Sequence, residues 1–152
     1  MGPEESAGTE AWQPPARQGL TRREAPRVLV AEDQPEMRAL LRRALQRRGY
    51  EVADAADGPG LIDAIVRGLL AARTQVPDLI VTDVRMPGFS GLEVLARIRR
   101  EGWSTPVILI TAFGDAELHG DAARLGAARV LNKPFAMEDL IAAVEALVPP
   151  PR

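Results

Sequence analysis

Between residues 27 and 148, short apolar runs alternate with amphipathic stretches, and this alternation restricts the possible folds more than any other feature of the chain. Residues 107–111 form a continuous apolar run that ends in Thr111, which is typical of a strand buried on both faces. In the stretches between such runs, apolar residues recur three or four positions apart, as along one face of a helix. Five consecutive strand–helix units predict an α/β fold in which one parallel sheet is covered by helices on both sides.

The same alternation predicts where each element lies. Pro35 is expected in the first turn of the first helix and Gly49 just beyond its end, since helices tolerate these residues there. Gly58-Pro59-Gly60 is interpreted as a turn at the start of the second helix, because its glycine spacing is too short for a nucleotide-binding loop. The predicted strands are 27–31, 51–55, 78–83, 107–111 and 129–131, and the predicted helices are 35–48, 61–70, 92–100, 116–125 and 140–148.

The two ends of the chain differ in composition from its middle. Seven of the 13 prolines lie before residue 27 or after residue 148. Residues 1–26 contain too few aliphatic side chains to offset the entropy of ordering, so we expect a disordered N-terminal tail. The alternative for this tail is a segment that docks onto a partner through Trp12. The expected organisation is therefore a tail at 1–26, one domain at 27–148 and a short C-terminal tail at 149–152.

Composition excludes several classes of function. The chain has no cysteine and one histidine, His119, which rules out disulfides, thiolate metal sites and two-histidine chemistry. Lys and Arg number 19 and Asp and Glu 21, so bulk charge gives no reason to expect binding to a nucleic-acid backbone. No apolar run approaches the ~18 residues that would span a bilayer, and no secretory signal is visible. We therefore expect a cytoplasmic protein without membrane insertion or direct DNA binding.

Polar residues collect where four of the predicted strands end. The carboxyl ends of parallel strands meet at one edge of a sheet, and ligands bind there. Glu32 and Asp33 follow the first strand, Asp83 ends the third, Thr111 ends the fourth and Lys133 follows the fifth. Three neighbouring carboxylates would repel one another unless a hard cation neutralised them, and carboxylates suit Mg²⁺. With a hydroxyl and an ammonium nearby, this pattern predicts a phosphoryl site whose central carboxylate could be the nucleophile.

Four sequence blocks resemble the signature blocks of response-regulator receiver domains. They are Val30-Ala31-Glu32-Asp33, Thr82-Asp83-Val84-Arg85-Met86-Pro87-Gly88, Ile110-Thr111-Ala112 and Asn132-Lys133-Pro134-Phe135. The resemblance covers about residues 27–148. It implies a flavodoxin-like (βα)5 doubly wound sandwich and Mg²⁺-dependent transfer of phosphate from a sensor histidine kinase or a histidine phosphotransfer protein. It also implies a signalling switch, not an enzyme beyond self-catalysed phosphotransfer and autodephosphorylation, whose changed surface acts on a downstream protein target.

The resemblance also implies a role for each site residue. Asp83 would be the phosphoacceptor, and Thr111, Ala112 and Lys133 would bind the phosphoryl group or respond to it. A peptide bond that is cis in the family corresponds to Lys133-Pro134. The metal would be held by Asp33 directly, by Glu32 often through water, by Asp83 and by the backbone carbonyl of Arg85.

Three departures from the family pattern bear on function. Val130 occupies the position three residues before the lysine, where the family often has Tyr or Phe that moves with the threonine. The stretch between Asp33 and Asp83 is longer than usual, with the surplus near residues 71–75. Only Pro149–Arg152 follows the last predicted helix, which leads us to expect a single-domain regulator without an output domain.

Alternatives remain at this stage. The main one is a degenerate, phosphorylation-independent adaptor, since Val130 weakens the usual coupling. A haloacid-dehalogenase-like phosphatase would need a second acid where Arg85 stands, and Glu32-Asp33 would repel the phosphate of a flavin. His119 is expected on the surface, away from the strand ends. The basic residues of the first helix are interpreted as a solvated face or a kinase-docking face; they are Arg42, Arg43, Arg47 and Arg48.

Overall fold

The computed structural model describes residues 25–71, 76–112 and 116–151. Its five strands are all parallel and lie in the order β2-β1-β3-β4-β5. This is the flavodoxin-like order, in which the chain reverses direction across the sheet between β1 and β3 and leaves a crevice at that point. The predicted fold is therefore confirmed. The strands are β1 (Arg27–Ala31), β2 (Glu51–Ala55), β3 (Leu79–Asp83), β4 (Val107–Thr111) and β5 (Arg129–Asn132).

A helix follows each strand. The first, α1, has Pro35 at its start, where the missing N–H costs nothing. The third, α3, is capped by Ser90, whose hydroxyl accepts from the Glu93 N–H while the Glu93 carboxylate accepts from the Ser90 N–H. Within the described residues the helices are α1 (Pro35–Arg47), α2 (Gly58–Ala71), α3 (Gly91–Arg100), α4 (Ala116–Arg124) and α5 (Met137–Leu147).

Helix α2 begins three residues earlier than its apolar pattern predicts. Gly58, Pro59 and Gly60 form its first turn instead of preceding it. Glycine and proline weaken a helix interior, but the first turn needs no N–H partners inside the helix. One of these N–H groups is satisfied locally, since the Gly60 N–H donates to Asp57 Oδ1 at 2.7 Å. Helix α5 likewise begins before its first apolar marker, at Met137, with Glu138 and Asp139 in its first turn.

Two apolar cores lie on opposite faces of the sheet. Alternate residues of a strand point to opposite faces, so Val28 and Val30 of β1 belong to one core and Leu29 and Ala31 to the other. The first core is closed by α1 and α5, and the second by α2, α3 and α4. Burial on both sides explains the nearly continuous apolar sequence of β3 and β4, each buried at all five positions.

Some basic side chains of α1, and that of Arg48 directly after it, form ion pairs with other elements of the domain. Arg42 pairs with Asp54 of β2 at 2.7 Å, and Arg48 pairs with Glu145 of α5 at 2.8 Å. Arg43 is exposed on the same helix. Part of the basic run therefore forms ion pairs with β2 and α5, and part of it faces solvent.

At the edge opposite the carboxyl ends of the strands, one arginine joins two loops. The Arg99 guanidinium of α3 donates to the carbonyl of Trp103 at 2.9 Å and to that of Gly126 at 3.0 Å. Trp103 precedes β4 and Gly126 precedes β5, so this Arg99 bridge ties the starts of the last two strands together. Burial lowers the pKa of Arg99.

Some predictions concern residues that the structure does not describe. The N-terminal tail with Trp12, and the surplus near 71–75 apart from the last backbone position of α2, lie outside the described ranges. The boundaries 27–148 and 149–152 remain predictions, although the chain after α5 contacts the domain where it is described: the Tyr50 hydroxyl donates to the Val148 carbonyl. Across the described ranges, no helix combines the length and apolar character that crossing a membrane requires.

Candidate functional site

Three carboxylates meet at the carboxyl ends of β1 and β3. The two strands are paired with Ala31 opposite Thr82, so the next residues, Glu32 and Asp83, lie side by side. Carboxylate oxygens of Glu32, Asp33 and Asp83 lie within 4.8 Å of one another. Glu32 is fully buried, Asp83 is 5% exposed and Asp33 is exposed. The acidic trio therefore has two buried members and one that faces solvent.

Lys133 joins this trio from β5. Its Nζ donates to Asp83 Oδ2 at 2.9 Å and lies 3.5 Å from Glu32 Oε1. Burial acts to lower the pKa of Lys133, but the hydrogen bond and charge of Asp83, with the charge of Glu32, outweigh it and raise the pKa. The peptide bond between Lys133 and Pro134 is cis.

Within the acidic trio, Glu32 is the carboxylate whose negative charge is destabilised by burial. Its Oε2 accepts from the Gln34 N–H at 3.2 Å, whereas its buried Oε1 has no hydrogen-bond partner in the described structure. Burial, together with the charge of Asp83, raises the pKa of Glu32 to about 7, although Gln34 and Lys133 act in the opposite direction. This buried oxygen accepts no hydrogen bond among the described residues, and its ion pair with Lys133 is long, at 3.5 Å. A divalent cation among the three carboxylates would therefore stabilise it further.

Backbone groups complete the site around Asp83. The Arg85 N–H donates to Asp83 Oδ1 at 3.1 Å, so each carboxylate oxygen of Asp83 has a donor. The Arg85 side chain is exposed. Thr111, 2% exposed, ends β4 beside Asp83, and its carbonyl accepts from the Lys133 N–H at 2.7 Å. Ala112 follows it and is exposed.

Arg38 also belongs to the site, and no sequence motif pointed to it. Its guanidinium donates to the Glu32 carbonyl at 2.8 Å, which holds the end of β1 against the first turn of α1. The sequence offered a weak signal: Arg38 is a basic residue in the first turn of the helix that begins at Pro35, five residues after Asp33.

Two residues singled out in the sequence lie elsewhere. Val130 lies within β5, half-buried against the core formed with α2, α3 and α4. His119 lies within α4, half-buried, and is not part of the acidic trio. The structure therefore brings together Glu32, Asp33, Asp83, Thr111 and Lys133, as their positions at the strand ends suggest.

The structure is a flavodoxin-like α/β protein in which three carboxylates that could hold a divalent cation, and a lysine, lie at the carboxyl ends of the strands. Comparison with known families identifies this class more specifically. Residues 28–145 match the family described as "Response regulator receiver domain". The chain belongs to this family, whose members are the signalling switches of two-component systems.

Individual relatives support this assignment. The chain is 40% identical over 121 residues to the transcriptional regulatory protein TcrA of Mycobacterium tuberculosis, covering 80% of this chain and 45% of TcrA. It is 29% identical over 123 residues to sporulation initiation phosphotransferase F of Bacillus subtilis, covering 81% and 94% respectively. The solved structure of the response regulator TrrA from Thermotoga maritima, in complex with Mg²⁺-BeF, superposes with a TM-score of 0.67 at 32% identity, covering 81% of this chain and 99% of TrrA. The chain thus spans about half the length of the mycobacterial regulators that it matches.

Proposed function

We propose that Asp83 accepts a phosphoryl group, in the presence of Mg²⁺, from the phosphohistidine of a sensor histidine kinase or a histidine phosphotransfer protein. One observation carries this proposal. The Asp83 carboxylate is held between the Lys133 ammonium at 2.9 Å and the Arg85 N–H at 3.1 Å, next to two further carboxylates. A carboxylate fixed at the end of a buried strand, with a cation beside it, is suited to nucleophilic attack on phosphorus.

In the proposed step, a carboxylate oxygen of Asp83 forms a bond to phosphorus. The bond between phosphorus and the histidine nitrogen breaks, and its electron pair stays on the imidazole ring of the donor. Lys133 would then hold a phosphoryl oxygen, because its ammonium already lies at the carboxylate that receives the group. The Thr111 hydroxyl, at the end of the neighbouring strand, would donate a hydrogen bond to another phosphoryl oxygen.

The acidic trio fits a magnesium ion. Asp33 and Asp83 would bind it directly, Glu32 would do so through water, and the Arg85 carbonyl would add an oxygen ligand. Two observations support this. Glu32 Oε1 accepts no hydrogen bond among the described residues and has only a long ion pair with Lys133, and the three carboxylates repel one another. Both favour a hard cation with oxygen ligands. When bound, Mg²⁺ neutralises charge that develops on the phosphoryl oxygens.

The consequence of phosphorylation would be a changed surface that a downstream protein recognises. Thr111 and Lys133 both connect to β5, through the strand pairing and through the Lys133 N–H bond to the Thr111 carbonyl. A shift of these residues toward the phosphoryl group would therefore move β5 and the helices next to it. Phosphotransferase F of Bacillus subtilis, whose length the chain nearly spans, supports a role in phosphotransfer.

Intact-mass spectrometry tests the proposal. The protein is incubated with acetyl phosphate, with and without Mg²⁺, and we expect the mass of one added phosphate only when Mg²⁺ is present. Asp83→Asn should lose this adduct. Asp63→Asn is the matched control, since Asp63 is an exposed residue of α2 paired only with Arg67 among the described contacts. Equal labelling of Asp83→Asn would refute the assignment, and no labelling of the wild type by either acetyl phosphate or a histidine kinase would favour the adaptor.

A further inference from the structure

The loop that follows the proposed phosphoacceptor is held from outside by the first turn of α2. This loop, residues 84–90, leads from β3 to α3 and carries Arg85. The Gly58 N–H at the start of α2 donates to the Pro87 carbonyl of the loop at 3.2 Å. The two segments are about thirty residues apart in sequence, so the contact is a tertiary one that no local pattern reveals.

The contact is so close that only glycine fits at two positions. A Cβ placed on Gly58 would lie 2.6 Å from both the backbone nitrogen and the Cβ of Phe89, and closer still to the Phe89 carbonyl oxygen. A Cβ placed on Gly88 would lie 2.5 Å from Cδ and 2.8 Å from Cγ of Pro59. The neighbouring atoms are backbone or a rigid ring, so they cannot give way as a flexible side chain could.

Gly91, the first residue after the loop, packs against the backbone of Asp83 itself. The Gly91 N–H donates to the Val84 carbonyl at 2.8 Å, and a Cβ on Gly91 would lie 2.6 Å from the Asp83 carbonyl oxygen. The backbone on both sides of Arg85 is therefore in contact with another segment, at Val84 and at Pro87. Its Arg85 N–H is the group that donates to Asp83 Oδ1.

We infer that the contact between α2 and this loop, which we call the loop clamp (Gly58, Pro59, Gly88 and Phe89), positions Arg85 for cation and phosphoryl binding at Asp83. The inference rests on the proposed function of Asp83. The clamp touches neither the cation nor the phosphoryl group; it acts through the Arg85 backbone, whose N–H and carbonyl are placed by the loop path. Displacing such a path by about 1 Å is enough to cost a large factor in a reaction that depends on alignment.

Gly88→Ala is the main test, and Gly102→Ala is its matched control. The two glycines have nearly the same φ, +85° and +86°, so alanine suffers the same backbone strain at both. Only Gly88 faces Pro59, whereas a Cβ on Gly102 would meet nothing within 4 Å. We expect Gly88→Ala to weaken Mg²⁺ binding about tenfold and to slow phosphorylation at saturating Mg²⁺ by at least as much. Gly102→Ala should match the wild type in Mg²⁺ affinity and in phosphorylation rate. Its loss of stability is measured separately, so that both variants are compared under conditions in which they are folded.

A second substitution shows whether the effect passes through the clamp. Pro59→Ala removes the ring atoms that a Cβ on residue 88 would strike, and the side chain is exposed in a first helical turn, where its new N–H needs no partner. Alone it should weaken Mg²⁺ binding about threefold and speed hydrogen exchange of the Arg85 amide, because the loop loses one support. Combined with Gly88→Ala, it should restore binding to the level of Pro59→Ala.

The outcomes separate the clamp from the proposed function. If Gly88→Ala binds Mg²⁺ as well as Gly102→Ala does, or if Pro59→Ala rescues nothing, the clamp has no positioning role. If Gly88→Ala does not fold, Pro59→Ala decides alone, and an unchanged Arg85 amide and Mg²⁺ affinity would overturn the inference. If the metal titrations behave as expected but the wild type never accepts phosphate, the clamp stands and the role proposed for Asp83 falls.

Discussion

The strands β3 and β5 both deliver a residue to the site, yet they differ in almost every physical respect. β3 lies between β1 and β4 and is buried at all five positions, ending in Asp83. β5 lies at the edge of the sheet, with Arg129 and Asn132 exposed and the two residues between them half-buried. Lys133, which follows β5, keeps 22% of its side-chain surface exposed.

This difference separates a fixed partner from a movable one. An interior strand cannot shift without breaking hydrogen bonds on both sides and disturbing two cores, whereas an edge strand has one neighbour and fewer buried contacts. Asp83 is therefore the reference point of the site. We therefore expect Lys133 and the end of β5 to be the part of the site that adjusts, as the proposed function requires.

The largest test of this contrast concerns stability. Ile80→Ala should lower the free energy of unfolding by about 2–5 kcal/mol, because Ile80 is fully buried in β3 and its loss leaves a cavity. Leu131→Ala in β5 should cost less than half as much, since Leu131 is only half-buried. Urea denaturation followed by circular dichroism measures both values. Equal losses would mean that the edge strand is as firmly held as the interior one.

A functional test of the contrast uses the charge that β5 supplies. Lys133→Ala should fold and bind Mg²⁺ close to normally but accept phosphate about 100-fold more slowly, as expected when one charge-stabilising group is removed. Rates come from intact-mass time courses and Mg²⁺ affinity from a fluorescence or NMR titration. If Mg²⁺ affinity fell as far as in Asp33→Ala, the separate roles assigned to Lys133 and to the acidic trio would be wrong.

A third test probes the interior side through pH. The folded-state pKa of Glu32 is raised from 4.5 to about 7, so between these values the folded protein keeps a proton that the unfolded chain has released. In EDTA, this group should lower stability progressively as pH rises from about 5, with the full loss reached above about pH 7. Glu32→Gln cannot ionise and should lack this decline. Parallel melting curves from pH 5 to 8 measure the difference, and parallel slopes for the two proteins would contradict it.

The smallest expected effect is the shift of the edge strand β5 when the site binds a phosphoryl group. Val130 is β-branched, has few rotamers and offers little lever to transmit a shift from the site. Mg²⁺ with beryllofluoride, which mimics a bound phosphoryl group, should therefore move the amide resonances of 129–132 only part of the way to a second state. Carrying a population from 1:99 to 99:1 needs about 5.5 kcal/mol of differential binding. A complete shift without a partner would show that Val130 does not limit the response.

Much of the fold follows from the sequence because the three inner strands, β1, β3 and β4, are almost entirely buried. The bounds of β1, β2 and β4 agree with the apolar runs, and β3 and β5 differ from them by one residue. Periodicity misplaces the start of α2, since its first turn consists of Gly58, Pro59 and Gly60, whose composition is that of a turn. Helix propensity describes interiors, and the first turn obeys different rules.

The membership of the site was also predictable, but its internal geometry was not. Strand ends of a parallel sheet must share an edge, which brings Glu32, Asp83 and Thr111 together once the strand order is known. That Lys133 lies nearer to Asp83 than to Glu32, by 2.9 Å against 3.5 Å, depends on side-chain packing that no spacing encodes. Arg38 and the loop clamp escaped detection for the same reason, because each depends on contacts between separate elements.

The Arg99 bridge would act as a pivot for the edge of the sheet that β5 forms. Through the carbonyls of Trp103 and Gly126, the bridge connects α3 to the loop before β4 and to the loop between α4 and β5, at the side of the sheet farthest from Asp83. Because the Arg99 bridge holds that end, a displacement of Lys133 toward a phosphoryl group on Asp83 would rotate β5 and α4 about the Arg99 guanidinium. It would not translate them along β4. In such a rotation the displacement grows with distance from the Arg99 bridge. A partner that binds the start of α4 near Ala116 would therefore meet a larger displacement than one that binds its end at Arg124.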